Sequence, residues 1–185
     1  MNTQYDLLET LADFRLTAEI VELSQISLPR ELPVDLKETL LQPSTKQNRC
    51  WQNSPVMRRH TELISPILVC PLAAKSKKNV VIGNLSTYSL IRSYLPSTGN
   101  VLVLRTNSLV PPSIQIDLIR VDILYSKCTL GSIPDSGFNK VLNKIFQSDE
   151  TQKVFANPLF HSLFPNITSR KNLSHLFDIA NQKIS

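Results

Sequence analysis

Hydrophobic and polar positions change their period several times along this chain, and each change marks an element boundary. Leu7, Leu8, Leu11 and Phe14 fall at helical spacing, and Thr3 with Asp6 three residues on resembles a capping box, so the pattern predicts a short helix over residues 4–13. From Phe14 the period becomes two. Phe14, Leu16, Ala18 and Ile20 alternate with Arg15, Thr17 and Glu19, the signature of a strand that ends near Leu23. Residues 29–60 carry several prolines, scattered charge and the only tryptophan; Val34–Leu41 fits two helical turns and the remainder reads as loop.

Residues 62–107 are densest in signals. An apolar run at Ile64–Val69, within Ser65-Pro66-Ile67-Leu68-Val69-Cys70-Pro71, is followed by Asn79–Gly83, by a helical stretch at Leu85–Leu95 and by Val101–Arg105. They read as strand, hairpin, strand, tight turn, helix and strand. At the tight turn Gly83 and Asn84 tolerate positive φ, and Ser86 or Thr87 is placed to cap the helix, so backbone N–H groups there suit an anion such as phosphate. Arg92, further along the same helix, is a secondary candidate for that ligand.

Beyond Pro111-Pro112-Ser113, residues 114–125 fit a strand by their isoleucine and valine content. They fit a helix equally well by the spacing of Ile116, Ile119 and Ile123, and the sequence leaves both open. A turn over residues 131–137 leads to an amphipathic helix carrying Phe138, Val141, Leu142, Ile145 and Phe146. After Asn157-Pro158 and Phe164-Pro165, Thr168 or Ser169 caps a final helix striped by Leu173, Leu176, Phe177 and Ala180. The expected fold is mixed α/β: an N-terminal helix over 1–13, a small-sheet domain over 14–110, and a mostly helical region over 111–185.

At 185 residues and 42% apolar content, the chain can bury one substantial core. Four glycines against twelve prolines argue against a Gly-rich phosphate loop. No run reaches the roughly 20 apolar residues of a membrane span, and the first residues lack the basic start and apolar block of a signal peptide, so no membrane partner and a cytoplasmic location are expected. Cys50, Cys70 and Cys128 are widely spaced without a CxxC pair, which reads as free thiols. His60, His161 and His175 lack close companions of metal-ligand type, and no carboxylate pair or Ser/Cys–His pair stands at motif spacing. No cofactor, metal or catalytic residue is therefore assigned.

Charge is distributed unevenly. Residues 1–45 hold three bases and eight acids and residues 46–185 hold seventeen bases and seven acids, so the balance moves from −5 to +10. Arg58-Arg59-His60 and Lys75-Ser76-Lys77-Lys78 supply five lysines and arginines within twenty-one residues, with Glu62 the only acid among them. Folded to one side, Arg58, Arg59, Lys75, Lys77 and Lys78 make a phosphate-binding patch for DNA or RNA; a lysine-rich hairpin tip also serves simply to keep a sheet edge soluble.

The order of elements in residues 18–107 resembles the N-terminal domain of the ParB and sulfiredoxin superfamily. Ala18–Ile26 looks like the family's first strand, Ser65–Val69 like its "PI-x-V" strand, Val80–Gly83 like the hairpin partner ending in glycine, and Leu85–Leu95 like the following helix. The family follows that glycine with a charged box such as G-E-R-R or G-x-H-R. Here Gly83 is followed by Asn84-Leu85-Ser86-Thr87, and of the box only Gly83 carries over. The resemblance implies a relative without nucleotide hydrolysis or sulfinic-acid repair: a non-enzymatic, nucleic-acid-associated accessory protein of a plasmid, phage or mobile element. A protein-interaction or scaffold module is the alternative, and a nucleotide-binding enzyme with an unrecognised site is the third.

Overall fold

Three apolar runs, at residues 67–71, 79–83 and 100–106, become the adjacent inner strands of one five-stranded sheet. The computed structural model describes residues 12, 14–32, 54–129, 157–167, 169 and 172, and the chain divides into two compact units, Met1–Ile119 and Arg120–Ser185. In the first unit β1 (Leu16–Glu22) runs through a 3-10 turn (Leu23–Gln25) into the short β2 (Ile26–Ser27). Then come α1 (Pro55–Ile64), β3 (Ile67–Pro71), β4 (Asn79–Gly83), α2 (Leu85–Tyr94) and β5 (Asn100–Thr106). Helix α3 (Pro112–Thr129) carries the chain across the division into the second unit. The strand order is β1-β5-β3-β4-β2, antiparallel for β1/β5 and β3/β4 and parallel for β3/β5 and β2/β4. The fold is mixed α/β.

Register decides which residues share a face. Ile67 pairs with Val103, Val69 with both Arg105 and Val81, and Val101 with Val21. Alternation therefore gathers Ile67, Val69, Val81, Val101 and Val103 on one face, and all five are 0% exposed. Their β-branched side chains fit a pleated surface, and full burial of each stabilises by about 1.5–3 kcal/mol. Helix α2 packs on β3, and α1 on α2 and β5. Gly83 owes its place to close approach and not to φ. A Cβ there would stand 3.3 Å from Leu68 Cδ2, beside the register shift between Leu68 and Val69. It is Asn84 that takes the left-handed conformation, with φ 56° and ψ 44°.

Several expectations change. Residues 55–60 read as loop and Ile64 as the start of a strand; both belong to α1. Val56, Leu63 and Ile64 stand at helical spacing but are exposed, and the buried position among the described residues is the carboxylate Glu62, so the apolar side of this helix is not its packed side. Its local signals are Pro55 at the first helical position and the Arg59–Glu62 pair one turn apart. The alternation at Phe14–Ile20 does make a strand, but its apolar side faces outward: Leu16 is 47% and Ile20 67% exposed, while Val21, on the other face, is buried. Residues 114–125 are helical, with Ile114, Leu118, Ile119 and Ile123 buried at helical spacing.

In the second unit, Asn157-Pro158 begins a helix. Asn157 Oδ1 accepts from the backbone N–H of Leu159 at 2.9 Å and of Phe160 at 3.4 Å, capping α4 (Pro158–Leu163) with proline at its first position. Phe160 is fully buried and its ring centroid lies 5.2 Å from that of Phe164. Ser169 Oγ accepts from Asn172 N–H at 3.3 Å, a cap of the kind expected for the last helix. Apart from Ala12 and Asn172, both helical, the helices expected at 4–13, 34–41 and 138–146 and the body of the last one lie outside the described residues. No helix among the described residues is long and apolar enough to cross a membrane.

The central face sets a stability contrast. Ile67→Ala should lower the unfolding free energy by about 2–5 kcal/mol in urea titration, whereas Val56→Ala, on the exposed side of α1, should stay within about 0.5 kcal/mol of wild type. Equal effects would contradict the assignment of the core.

Candidate functional site

On β5, Arg105 follows Val101 and Val103 on the buried face, and there the face gives way to the hairpin joining β3 to β4. Its guanidinium is distributed over three elements. Nε donates to Asn79 Oδ1 at 2.9 Å, Nη2 donates to the Ser76 carbonyl at 3.0 Å, and Nη1 lies 3.5 Å from Glu19 Oε1 on β1. Asn79, 1% exposed at the start of β4, passes the connection on by donating from Nδ2 to the Lys77 carbonyl at 3.2 Å. Within the hairpin Leu72 N–H donates to Lys78 O, Ser76 N–H to Ala73 O, and Lys78 N–H to Ser76 Oγ, with Lys75 at φ 60°. Charge-assisted bonds of this kind contribute roughly 1.5–3 kcal/mol each, enough to fix a short loop. The backbone of residues 75–79 is held from inside while Lys75, Lys77 and Lys78 remain exposed.

Two clefts open beside this hairpin. Lys75, Lys77, Arg105 and Glu19 border one of about 280 Å³; Lys78, Arg30 and Glu31 border another of about 580 Å³, and Gln25 lines both. Five cationic side chains thus face two carboxylates, one of which, Glu19, already faces Arg105.

The other expected cations are placed differently. Arg59 Nη1 stands 2.8 Å from Glu62 Oε2, and Glu62 Oε1 accepts from Tyr94 OH at 3.0 Å, so Arg59 helps to fasten α1 to the end of α2. Arg58 precedes it in α1. At the β4–α2 turn Asn84 Nδ2 donates to the Pro66 carbonyl at 2.6 Å and makes no side-chain cap. Ser86 and Thr87 are the second and third residues of α2 and not its cap; Ser86 is exposed and Thr87 is buried. Gly83 is buried as well. Eight residues beyond Asn84, or about 12 Å along the axis, Arg92 lies apart from this turn. Its guanidinium stands 5.6 Å from the Tyr88 ring centroid, and the Tyr88 hydroxyl donates to Ile26 O at 3.5 Å. Burial pushes the Tyr88 phenol up, partly offset by Arg92. Arg92 and Tyr88 line a third cleft, of about 540 Å³, with Ser24, Ser27 and Ser97.

Sequence reading found the hairpin lysines but missed Arg105, Asn79, Glu19 and Arg30. One signal for Arg105 was present: it stands in phase with Val101 and Val103 at the end of an apolar strand, where a charged group must find polar partners. Cys70, 0% exposed, is inert by environment: burial pushes its thiol up to about 11, only partly countered by a backbone hydrogen bond from Val110 and the Arg105 charge. No family model matches the chain, and no curated protein or solved structure matches it either.

Two measurements check this geometry. Arg105→Lys keeps the charge but loses the fork, so hydrogen exchange at the Leu72 and Lys78 amides should quicken by about tenfold or more; unchanged exchange would deny Arg105 its bracing role. Because burial pushes the Cys70 thiol up to about 11 in the folded chain against an ordinary value of 9.0, the unfolded state loses this proton first on raising pH. Its contribution is constant below pH 9 and declines between pH 9 and 11, so wild type should lose about 2–3 kcal/mol relative to Cys70→Ala across that window. Parallel stability curves for the two proteins would refute a buried neutral thiol.

Proposed function

We propose that the Met1–Ile119 unit binds the phosphate backbone of DNA or RNA through the Lys75–Lys78 hairpin and acts as a non-enzymatic nucleic-acid-associated accessory protein. The observation that carries this reading is the hairpin's construction: three exposed lysines on a backbone fixed by Arg105 and Asn79. Lysines on a fixed backbone contact phosphates without first ordering the loop, which removes one cost of association. Arg30, across the neighbouring cleft from Lys78, extends the positive surface. Phosphate contacts of this kind give affinity and register without sequence selectivity. The likeness of residues 18–107 to ParB-type domains favours nucleic acid among polyanions and suggests a plasmid, phage or mobile-element setting. The non-enzymatic part is supported by the β4–α2 turn, where a charged box is replaced by Asn84, turned onto Pro66 O, and by a buried Thr87.

A second reading, a protein-interaction module, is favoured by the exposed apolar side chains Val56, Leu63 and Ile64 on α1. Fluorescence anisotropy with a labelled duplex and with its single strand at 50 to 200 mM salt separates the two. Wild type should lose affinity steeply with salt. The triple variant Lys75→Glu, Lys77→Glu, Lys78→Glu should keep its melting temperature and either lose binding or show a log–log salt slope smaller by about 3. Absence of binding to either probe at low salt would remove the nucleic-acid reading and leave the interaction module.

A further inference from the structure

Strand β1 ends the sheet: among the described residues it pairs with β5 alone, and its seven residues are nearly all exposed. Natural edge strands of this length are blunted by proline, lysine, bulges or a covering segment. β1 contains neither proline nor lysine, its ladder with β5 runs unbroken from Leu16↔Thr106 to Glu22↔Asn100, and Leu16 and Ile20 stay 47% and 67% exposed. The phase of that ladder is known. Asn107 N–H donates to Arg15 O at 3.1 Å, which makes Arg15 and Asn107 a hydrogen-bonded pair continuing the β1/β5 register. By alternation Thr17, Glu19 and Val21 bond inward to β5, and the N–H and C=O groups of Leu16, Ala18, Ile20 and Glu22 point to the open edge.

We infer that this edge is a homodimer interface, in which two copies pair β1 antiparallel about a two-fold axis at Thr17. Opposed residues must then lie on the same face, and their numbers sum to 34. That register sets Arg15 opposite Glu19 of the second copy, twice; Leu16 opposite Ala18; Phe14 opposite Ile20; and Thr17 opposite itself. Every opposed pair between Phe14 and Ile20 is complementary, apolar with apolar, base with acid, threonine with threonine. The outward-pointing groups also meet correctly, since Leu16 and Ala18 of opposite copies both present free-edge N–H and C=O. Neighbouring registers are poorer. Centred on Ala18, Arg15 meets Val21 and Glu19 meets Thr17; centred on Glu19, two carboxylates meet. In the Thr17 register Phe14, Leu16, Ala18 and Ile20 of both copies form one apolar stripe, continued on each side by half-buried Leu102 and Leu104. This accounts for a sheet face that alternates as a buried strand does and yet is exposed in one copy.

Sedimentation equilibrium on the full chain over about 1–100 μM tests the association. Wild type should rise from 20.9 kDa toward twice that mass with concentration. Ile20→Lys, exposed in one copy and so harmless to folding, should remain at the lower mass. Arg15→Glu and Glu19→Arg should each be monomeric alone, through like charges at both opposed pairs, and should form a heterodimer when mixed. Register is read by cysteine cross-linking: opposed threonines in a non-hydrogen-bonded pair have Cα atoms about 4.5 Å apart, within disulfide reach, so Thr17→Cys should oxidise to a covalent dimer. Glu22→Cys, about 30 Å from its counterpart, should behave as wild type. A wild type that stays monomeric throughout, an Ile20→Lys variant that still dimerises, or cross-linking through position 22 but not 17 would each overturn the proposal.

Discussion

Side-by-side packing of β3 and β5 is the constraint on which the rest of the first unit depends. Parallel strands need a long crossover between them, and here that crossover contains the hairpin, β4 and α2, so the strand inserted on the far side of β3 and the helix packed on β3 both belong to one connection. The shared face of Ile67, Val69, Val81, Val101 and Val103 excludes water completely. Arg105 lies where that face ends, two residues past Val103. A guanidinium at the rim of a dry face is costly unless its donors are used, and the available acceptors are Asn79, the Ser76 carbonyl and Glu19. Satisfying this arginine is what fixes the hairpin, and fixing the hairpin is what gives three lysines a defined place. Core and candidate site are thus two ends of one strand.

The parts of the fold readable from sequence were those where local propensity and burial agree. Val80-Val81-Ile82 and Val101-Leu102-Val103-Leu104 are apolar, with β-branched valine or isoleucine at the fully buried positions, and they appear as strands in the pattern as in the structure. Helix α1 is hidden in the sequence because Ile64 joins the apolar stretch that leads into β3 and the helix's buried position among the described residues is a carboxylate, Glu62. The segment at 114–125 could not be resolved because isoleucine-rich helices and buried strands share a composition; the burial of Ile114, Leu118 and Ile119 decides it. At β1 the period was right and its meaning inverted, since alternation reports which residues are alike and not which side faces water.

The candidate site shows the same division. Exposed lysines between two apolar runs are visible in any linear reading. The arginine that orders them is twenty-seven residues from Lys78 in sequence and joins them only through the register of three strands. The turn at Asn84, which looked like an anion site, became a structural joint: Asn84 takes the left-handed conformation and spends its amide on Pro66, which leaves helix entry rather than ligand binding as the visible work of that residue. Arg59 is similarly absorbed, with its charge set against Glu62. Positive charge in the sequence is therefore a poor guide to positive surface until the carboxylates that meet it are known.

The central claim, that a hairpin ordered by Arg105 offers its lysines to phosphates, is tested most directly by amide chemical-shift mapping of the full chain during titration with a short duplex at low salt. The account predicts that the amides of residues 75–79 and of Arg105 shift together from the first additions and return when salt is raised. Saturating shifts confined to other residues, with the hairpin and Arg105 unmoved, would contradict it.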